Sequence, residues 1–97
     1  MYVVVRSYSG EGAPEIFEVI EEKTEEIRAL ISEVPGFVSY TAFRIEGGGT
    51  AVTVCQDKEG TDQSISVAAK WVLENVHGTP PVPVIIEGST VAQFSEQ

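Results

Sequence analysis

Apolar residues along this chain change their spacing several times, and each change predicts a different element. Residues 2–8, Tyr-Val-Val-Val-Arg-Ser-Tyr, are β-branched and aromatic and run into the breaker Ser9-Gly10-Glu11-Gly12, so they predict a strand. From Pro14 onward Ile16, Ile20, Ile27, Leu30, Ile31 and Val34 fall at helical steps until Pro35-Gly36 ends the pattern. This predicts one long helix of about twenty residues, a rod of roughly 30 Å. Phe37 to Glu46 alternates as a second strand, Gly47-Gly48-Gly49 supplies a tight turn, and Thr50 to Gln56 returns as a third. After Asp57-Lys58-Glu59-Gly60, a second helix is expected from Thr61 or Asp62, with Ile65, Ala68, Ala69, Val72 and Val76 on its buried face and His77-Gly78 at its end. Thr79-Pro80-Pro81-Val82-Pro83 reads as a stiff extended connector. Val84-Ile85-Ile86 and Val91-Ala92-Gln93-Phe94 form a last strand interrupted by a bulge at Glu87-Gly88-Ser89.

The order is β-α-β-β-α-β. Right-handed crossovers then give an α+β, ferredoxin-like antiparallel sheet with two helices on one face. The other face is left bare. Alternation puts Val3, Val5 and Ser7 opposite Tyr2, Val4, Arg6 and Tyr8 on the first strand, and Phe37, Ser39, Thr41, Phe43 and Ile45 opposite Val38, Tyr40, Ala42, Arg44 and Glu46 on the second. Neither face is plainly polar. A sheet with apolar content on both faces needs a second cover, and a homodimer that stacks the two bare faces supplies it.

A length of 97 residues and a hydrophobic fraction of 42% fit one globular domain spanning residues 1–97. The apolar run after Met1 stops at Arg6, too short for an export signal or a membrane span. Cys55 is the single cysteine, and no Cys/His spacing resembles a zinc site. A cytoplasmic location is expected. The formal net charge is −9, and residues 11–33 carry eight glutamates against Lys23 and Arg28. Such a surface repels phosphate backbones, so nucleic acid and membranes are not expected partners, and solubility is the plain explanation of the charge.

The opening YVVVRSY, the segment SEVPGFVSYTAF that passes from helix to strand, the hairpin into AVTVCQD and the helix after it together resemble the dimeric α/β-barrel superfamily, including the antibiotic-biosynthesis-monooxygenase-like proteins and the haem-degrading monooxygenases. The likeness spans nearly the whole chain. Its most telling piece, EVPGF, is structural: Pro35 halts a helix, Gly36 turns the chain, and Phe37 enters a strand facing the core. The resemblance implies a pocket between helices and sheet where some members bind flat aromatic substrates or haem without a dedicated cofactor motif. It also implies, for the haem-degrading members, an asparagine on the first strand, a tryptophan and a histidine. This chain has Trp71 and His77 but Ser7 near the matching end of its first strand. That triad is incomplete.

The candidate pocket-lining residues are Arg6, Tyr8, Tyr40, Arg44, Trp71 and His77. Arg6 and Arg44 are two of only six basic residues, and alternation groups Arg6 with Tyr8 and Arg44 with Tyr40. Brought to one face, they can hold a carboxylate, phenolate or enolate between guanidinium forks and phenol rings. The plainer reading makes both arginines edge or interface residues satisfied by acidic neighbours. Trp71 and His77 lie six residues apart, about 600° of helical rotation, so they need not share a pocket. Trp71 is otherwise a packing aromatic, and His77 a last-turn residue favoured by the helix dipole.

The remaining motifs carry less chemistry. Cys55 sits mid-strand with Ala51 and Thr53 and has no orienting third residue for a pairing with His77; Ser64, in the first turn of the second helix, reads as a cap. The triple glycine lacks the lysine of a phosphate loop, and Glu18, Glu22 and Glu26 line a solvated face rather than a metal site. No catalytic set, cofactor or metal is assigned. Two functions are carried forward. One is a homodimeric domain that binds a small aromatic or anionic ligand, or a partner, without catalysis. The alternative is a cofactor-independent, monooxygenase-like enzyme acting on an aromatic or enolisable molecule. A pocket above a few hundred Å3 with convergent polar groups favours the enzyme, and a filled core the interaction module.

Overall fold

Strand β1 (Tyr2–Ser9) takes the centre of the sheet because its alternate residues are apolar on both sides. In the computed structural model, which describes residues 1–96, β1 is followed by helices α1 (Ala13–Glu22) and α2 (Thr24–Ile31), strands β2 (Phe37–Ile45) and β3 (Gly48–Cys55), helix α3 (Lys58–Asn75) and strand β4 (Val84–Ser89). The strands run β2-β3-β1-β4, antiparallel at every pairing. This is the expected ferredoxin-like sheet, with three helices rather than two.

The long first helix is broken in the middle. Lys23 leaves helical geometry at φ −115°, ψ 34°, and the Thr24 hydroxyl donates to the carbonyls of Ile20 and Glu21, both at 3.1 Å. A threonine bonded back onto the preceding turn bends a helix, and here the chain restarts in a new direction. The sequence holds a trace of this: the four-residue apolar step fails between Ile20 and Ile27, where six polar residues intervene.

Three other expectations need correction. The triple glycine is not all turn: Gly47 takes φ +79°, while Gly48 and Gly49 belong to β3 and lie buried. A side chain at Gly49 would meet the Phe17 ring at 2.6 Å, so β3 comes this close to α1 only by lacking one. Helix α3 begins at Lys58, a turn earlier than expected, because Gly60 packs inside its first turn against Pro35 and Cys55 instead of breaking it. Its buried face is accordingly Gly60, Thr61, Ser64, Trp71 and Val72, with Ala69 exposed. Strand β4 runs unbroken through Glu87-Gly88, and Val91–Phe94 adds nothing to it; Thr90 makes the last bond, its N–H to the Met1 carbonyl at 2.8 Å.

The helices cover the face of Val4, Arg6 and Tyr8, and the core there is built from Ile16, Phe17, Ile27, Ile31, Trp71, Val72 and Val76. The junction at Gly36 behaves as EVPGF implies: φ is +66° and its carbonyl accepts the Gln56 N–H at 2.7 Å. A register shift between Phe37 and Ser39 lets Phe37 face the core while Ser39, Thr41, Phe43 and Ile45 face the other way. On that open face Val5 stands between Val52 and Ile86. No helix of the described residues is long and apolar enough to cross a membrane.

Candidate functional site

Beneath α2 and α3, four of the six candidate residues meet. Arg6 and Tyr8 rise from β1, Tyr40 from β2 and Trp71 from α3, and all four line one cleft whose remaining walls are aliphatic. The inner end is nearly filled, with about 20 Å3 of free space, room for a single water. The outer part, about 350 Å3, opens between α2 and β2 and shares Ile20, Ile27, Ile31 and Tyr40 with the inner end. Its cause is the break at Lys23: α2 leans on α3 while α1 covers the sheet, which leaves β2, an edge strand, partly uncovered.

Two contacts hold α2 against α3. The Trp71 indole N–H donates to Glu26 Oε1 at 3.0 Å, and Lys23 Nζ donates to Asn75 Oδ1 at 2.9 Å. Glu26, read from the sequence as part of a solvated face, therefore fixes the tryptophan that walls the cleft. Nothing in the local spacing joins residues 45 positions apart.

Arg6 is the unusual member. Only 2% of its surface is exposed, its Nη1 donates to Thr53 Oγ1 at 3.3 Å, and its Nε–H, also buried, has no partner. Among the described residues four carboxylates form ion pairs, all with other cations: Glu25 with Arg28, Glu21 with Arg44, Asp62 and Glu87 with Lys58. What Arg6 has beside it are two phenols. Burial pushes the ionisation of Tyr8 and Tyr40 above the ordinary 10.0, and the adjacent guanidinium offsets this only in part. Both rings stay neutral at physiological pH. Thr53 is the partner that sequence reading passed over, although alternation already put it on the helix-facing side of β3 with Ala51.

Arg44 and His77 do not join the cleft. Arg44 shares the helix-facing side of β2 with Tyr40, but it sits at the far end of the strand and forms an exposed 2.6 Å ion pair with Glu21 of α1. The expected convergence with Arg6 fails because one guanidinium is buried at mid-sheet and the other is at the rim. His77 follows the end of α3 and is exposed, so only Trp71 of the helix pair points inward. Ser7 faces the open side of the sheet, where its hydroxyl bonds that of Thr50 at 3.2 Å. Ser64 is no cap: it is buried in α3 and donates to the Thr61 carbonyl at 2.7 Å. Cys55 is buried, and burial pushes its thiol up, away from the reactive thiolate. Among the described residues no cluster of His, Cys, Asp and Glu can hold a metal ion.

No protein-family model and no curated protein matches the sequence. Solved structures do. A monooxygenase from the gene ActVA-Orf6 of Streptomyces coelicolor, in complex with Nanaomycin D, superposes with a TM-score of 0.64 at 17% identity over 99% of this chain and 92% of that one. A MhuD variant with two manganese protoporphyrin IX bound per active site gives 0.64 at 16% identity, over 99% and 100%. SnoaB, a cofactor-independent oxygenase from Streptomyces nogalater, gives 0.57 at 19%, over 97% and 94%. A dimeric ferredoxin-like protein from an uncultured marine organism is also similar, at 15% identity and 0.55, over 98% and 97%. The shared property at these identities is the ferredoxin-like fold.

Proposed function

We propose that this chain is a small-molecule-binding domain that works as a homodimer and holds a planar ligand in the cleft between α2, α3 and the sheet. The observation that carries this is the convergence of Arg6, Tyr8, Tyr40 and Trp71 at the inner end of a cleft whose outer part is about 350 Å3, within the size range of ligand sites. The inner end is occupied by the protein's own side chains, so a ligand enters by displacing α2. Proteins of this fold that hold Nanaomycin D or manganese protoporphyrin lend support from flat ring systems. A second copy is the proposed cover for the open sheet face, where Phe43 is 47% and Ile86 66% exposed, and a dimeric protein of the same fold agrees with it. Val91 and Phe94, almost fully exposed beyond β4, are apolar residues that a second copy would also shelter. The compartment proposed is the cytoplasm, on the single buried thiol.

Trp71 is the one tryptophan, so its fluorescence reports the cleft directly. Titration with protoporphyrin IX and with a naphthoquinone should give saturable quenching, weakened at least tenfold by Ala68→Leu, which fills the inner end. Failure of both compounds to quench saturably would remove the pocket from consideration and leave an interaction module.

A second reading, the cofactor-independent monooxygenase-like enzyme, draws on the guanidinium beside two neutral phenols, an arrangement able to stabilise an enolate or phenolate in a water-poor site. Oxygen uptake with a bound naphthol distinguishes it from simple binding. No uptake at saturating ligand would rule out catalysis on that class.

A further inference from the structure

Fifteen of the 97 residues are acidic, yet neither the inner nor the outer part of the cleft is lined by a single carboxylate. The charged groups that do line it are both arginines: Arg6 at the floor and Arg28, tied to Glu25, at the mouth. A guanidinium 98% withdrawn from solvent, with only the neutral hydroxyls of Thr53, Tyr8 and Tyr40 as partners and an unpartnered Nε–H, has no anion to balance its charge. Burying a donor with no acceptor is unfavourable unless something supplies the acceptor.

We infer that the floor of this cleft is an anion site: the ligand carries one anionic oxygen group, a carboxylate or an ionised phenol or enol, on a planar apolar body, and that oxygen accepts the Arg6 Nε–H. This rests on the cleft being a ligand site and adds the ligand's charge. The phenols of Tyr8 and Tyr40 flank the guanidinium as neutral donors to the same oxygen, while Trp71 and the aliphatic walls take the ring. Discrimination is against neutral molecules of the same shape, whose oxygen can accept the Nε–H but cannot balance the guanidinium charge.

The test uses 2-naphthoate and its amide, 2-naphthamide, which share a ring system and differ in charge. In calorimetric titrations of the intact protein the acid should bind at least about tenfold more tightly than the amide, the gain expected of a hydrogen bond to a charged acceptor. Arg6→Met should abolish the difference, and Arg44→Gln, which alters only the rim ion pair, should preserve it. Acid and amide bound equally by the unsubstituted protein would overturn the anion site while leaving the pocket standing. Neither bound at millimolar concentration would overturn both. An acid preference that survives Arg6→Met would overturn the assignment to Arg6. The comparison of acid with amide needs no variant, so it decides the ligand's charge even if Arg6→Met does not fold.

Discussion

Arg6→Met should make the protein more stable. Methionine has nearly the reach of the arginine stem and fills an irregular apolar space without a charge. Replacing a buried ionic group by an apolar side chain of similar volume is neutral or stabilising by roughly 1–4 kcal/mol, because the desolvation of the charge is no longer incurred. The Arg6 guanidinium recovers only part of that desolvation, since its partners, Thr53 at 3.3 Å and the phenols of Tyr8 and Tyr40, are all neutral and its Nε–H has none. Against the gain stands the Thr53 hydroxyl, fully buried and deprived of its donor, at about 1 kcal/mol. A net stabilisation of roughly 0–3 kcal/mol follows, which for a chain this short corresponds to a rise of up to roughly 20 °C in Tm. Guanidinium chloride unfolding at one fixed protein concentration is the assay, since a homodimer's stability depends on concentration, and the m-value should not change. A loss of more than about 2 kcal/mol would refute the reasoning: the guanidinium would then be a structural element of the core.

Other outcomes follow from the same structure. Phe43→Asp with Ile86→Asp on the open face should convert a dimer to a monomer in sedimentation velocity without loss of helical signal; a protein already monomeric before substitution would refute the stacked-face dimer. Gly49→Ala places a methyl carbon 2.6 Å from the Phe17 ring and should cost roughly 1–3 kcal/mol in denaturant unfolding, whereas Gly47→Asn, at an open turn with φ +79°, should cost much less. Tyr8 and Tyr40 have folded-state ionisations raised by burial, so folding stability is full below the ordinary 10.0 and falls as pH climbs from there through the raised values. Ultraviolet titration should show two phenols ionising only above that ordinary value, or together with unfolding, and full ionisation of every tyrosine at pH 10 in the folded protein would contradict it.

Much of the fold was legible because local chemistry and global topology agree. Alternation in β1 correctly put Arg6 with Tyr8, and Pro35-Gly36-Phe37 correctly marked the end of one element and the start of the next. Sequence reading went astray where a distant contact overrides a local signal. Gly60 looks like a breaker until Pro35 and Cys55 pack on it, and Gly48-Gly49 looks like a turn until Tyr8 and Phe17 lie across it. The site divides in the same way. Arg6, Tyr8 and Tyr40 follow from strand parity and Trp71 from its helix, but the loss of Arg44 to Glu21 depends on where α1 crosses β2, which no local pattern encodes.

The helix break links these observations. A straight helix through residues 14–34 would lie along the sheet and cover β2, closing the space over Tyr40. Bending at Lys23, with Thr24 taking up the carbonyls of Ile20 and Glu21, redirects α2 toward α3, where Glu26 meets the Trp71 indole. The polar stretch from Glu21 to Glu26 serves both ends of this arrangement: Glu21 closes the rim on Arg44, and Glu26 fixes the wall. Glu21 is thereby held by a partner at the rim, and Glu26 by the indole N–H of the wall. An acid-rich helix pair thus roofs a cavity that contains no acid, and Arg6 keeps its charge unanswered in a protein with nine more negative than positive residues. The absence of a carboxylate from the lining of either part is the arrangement that the proposed anion site requires.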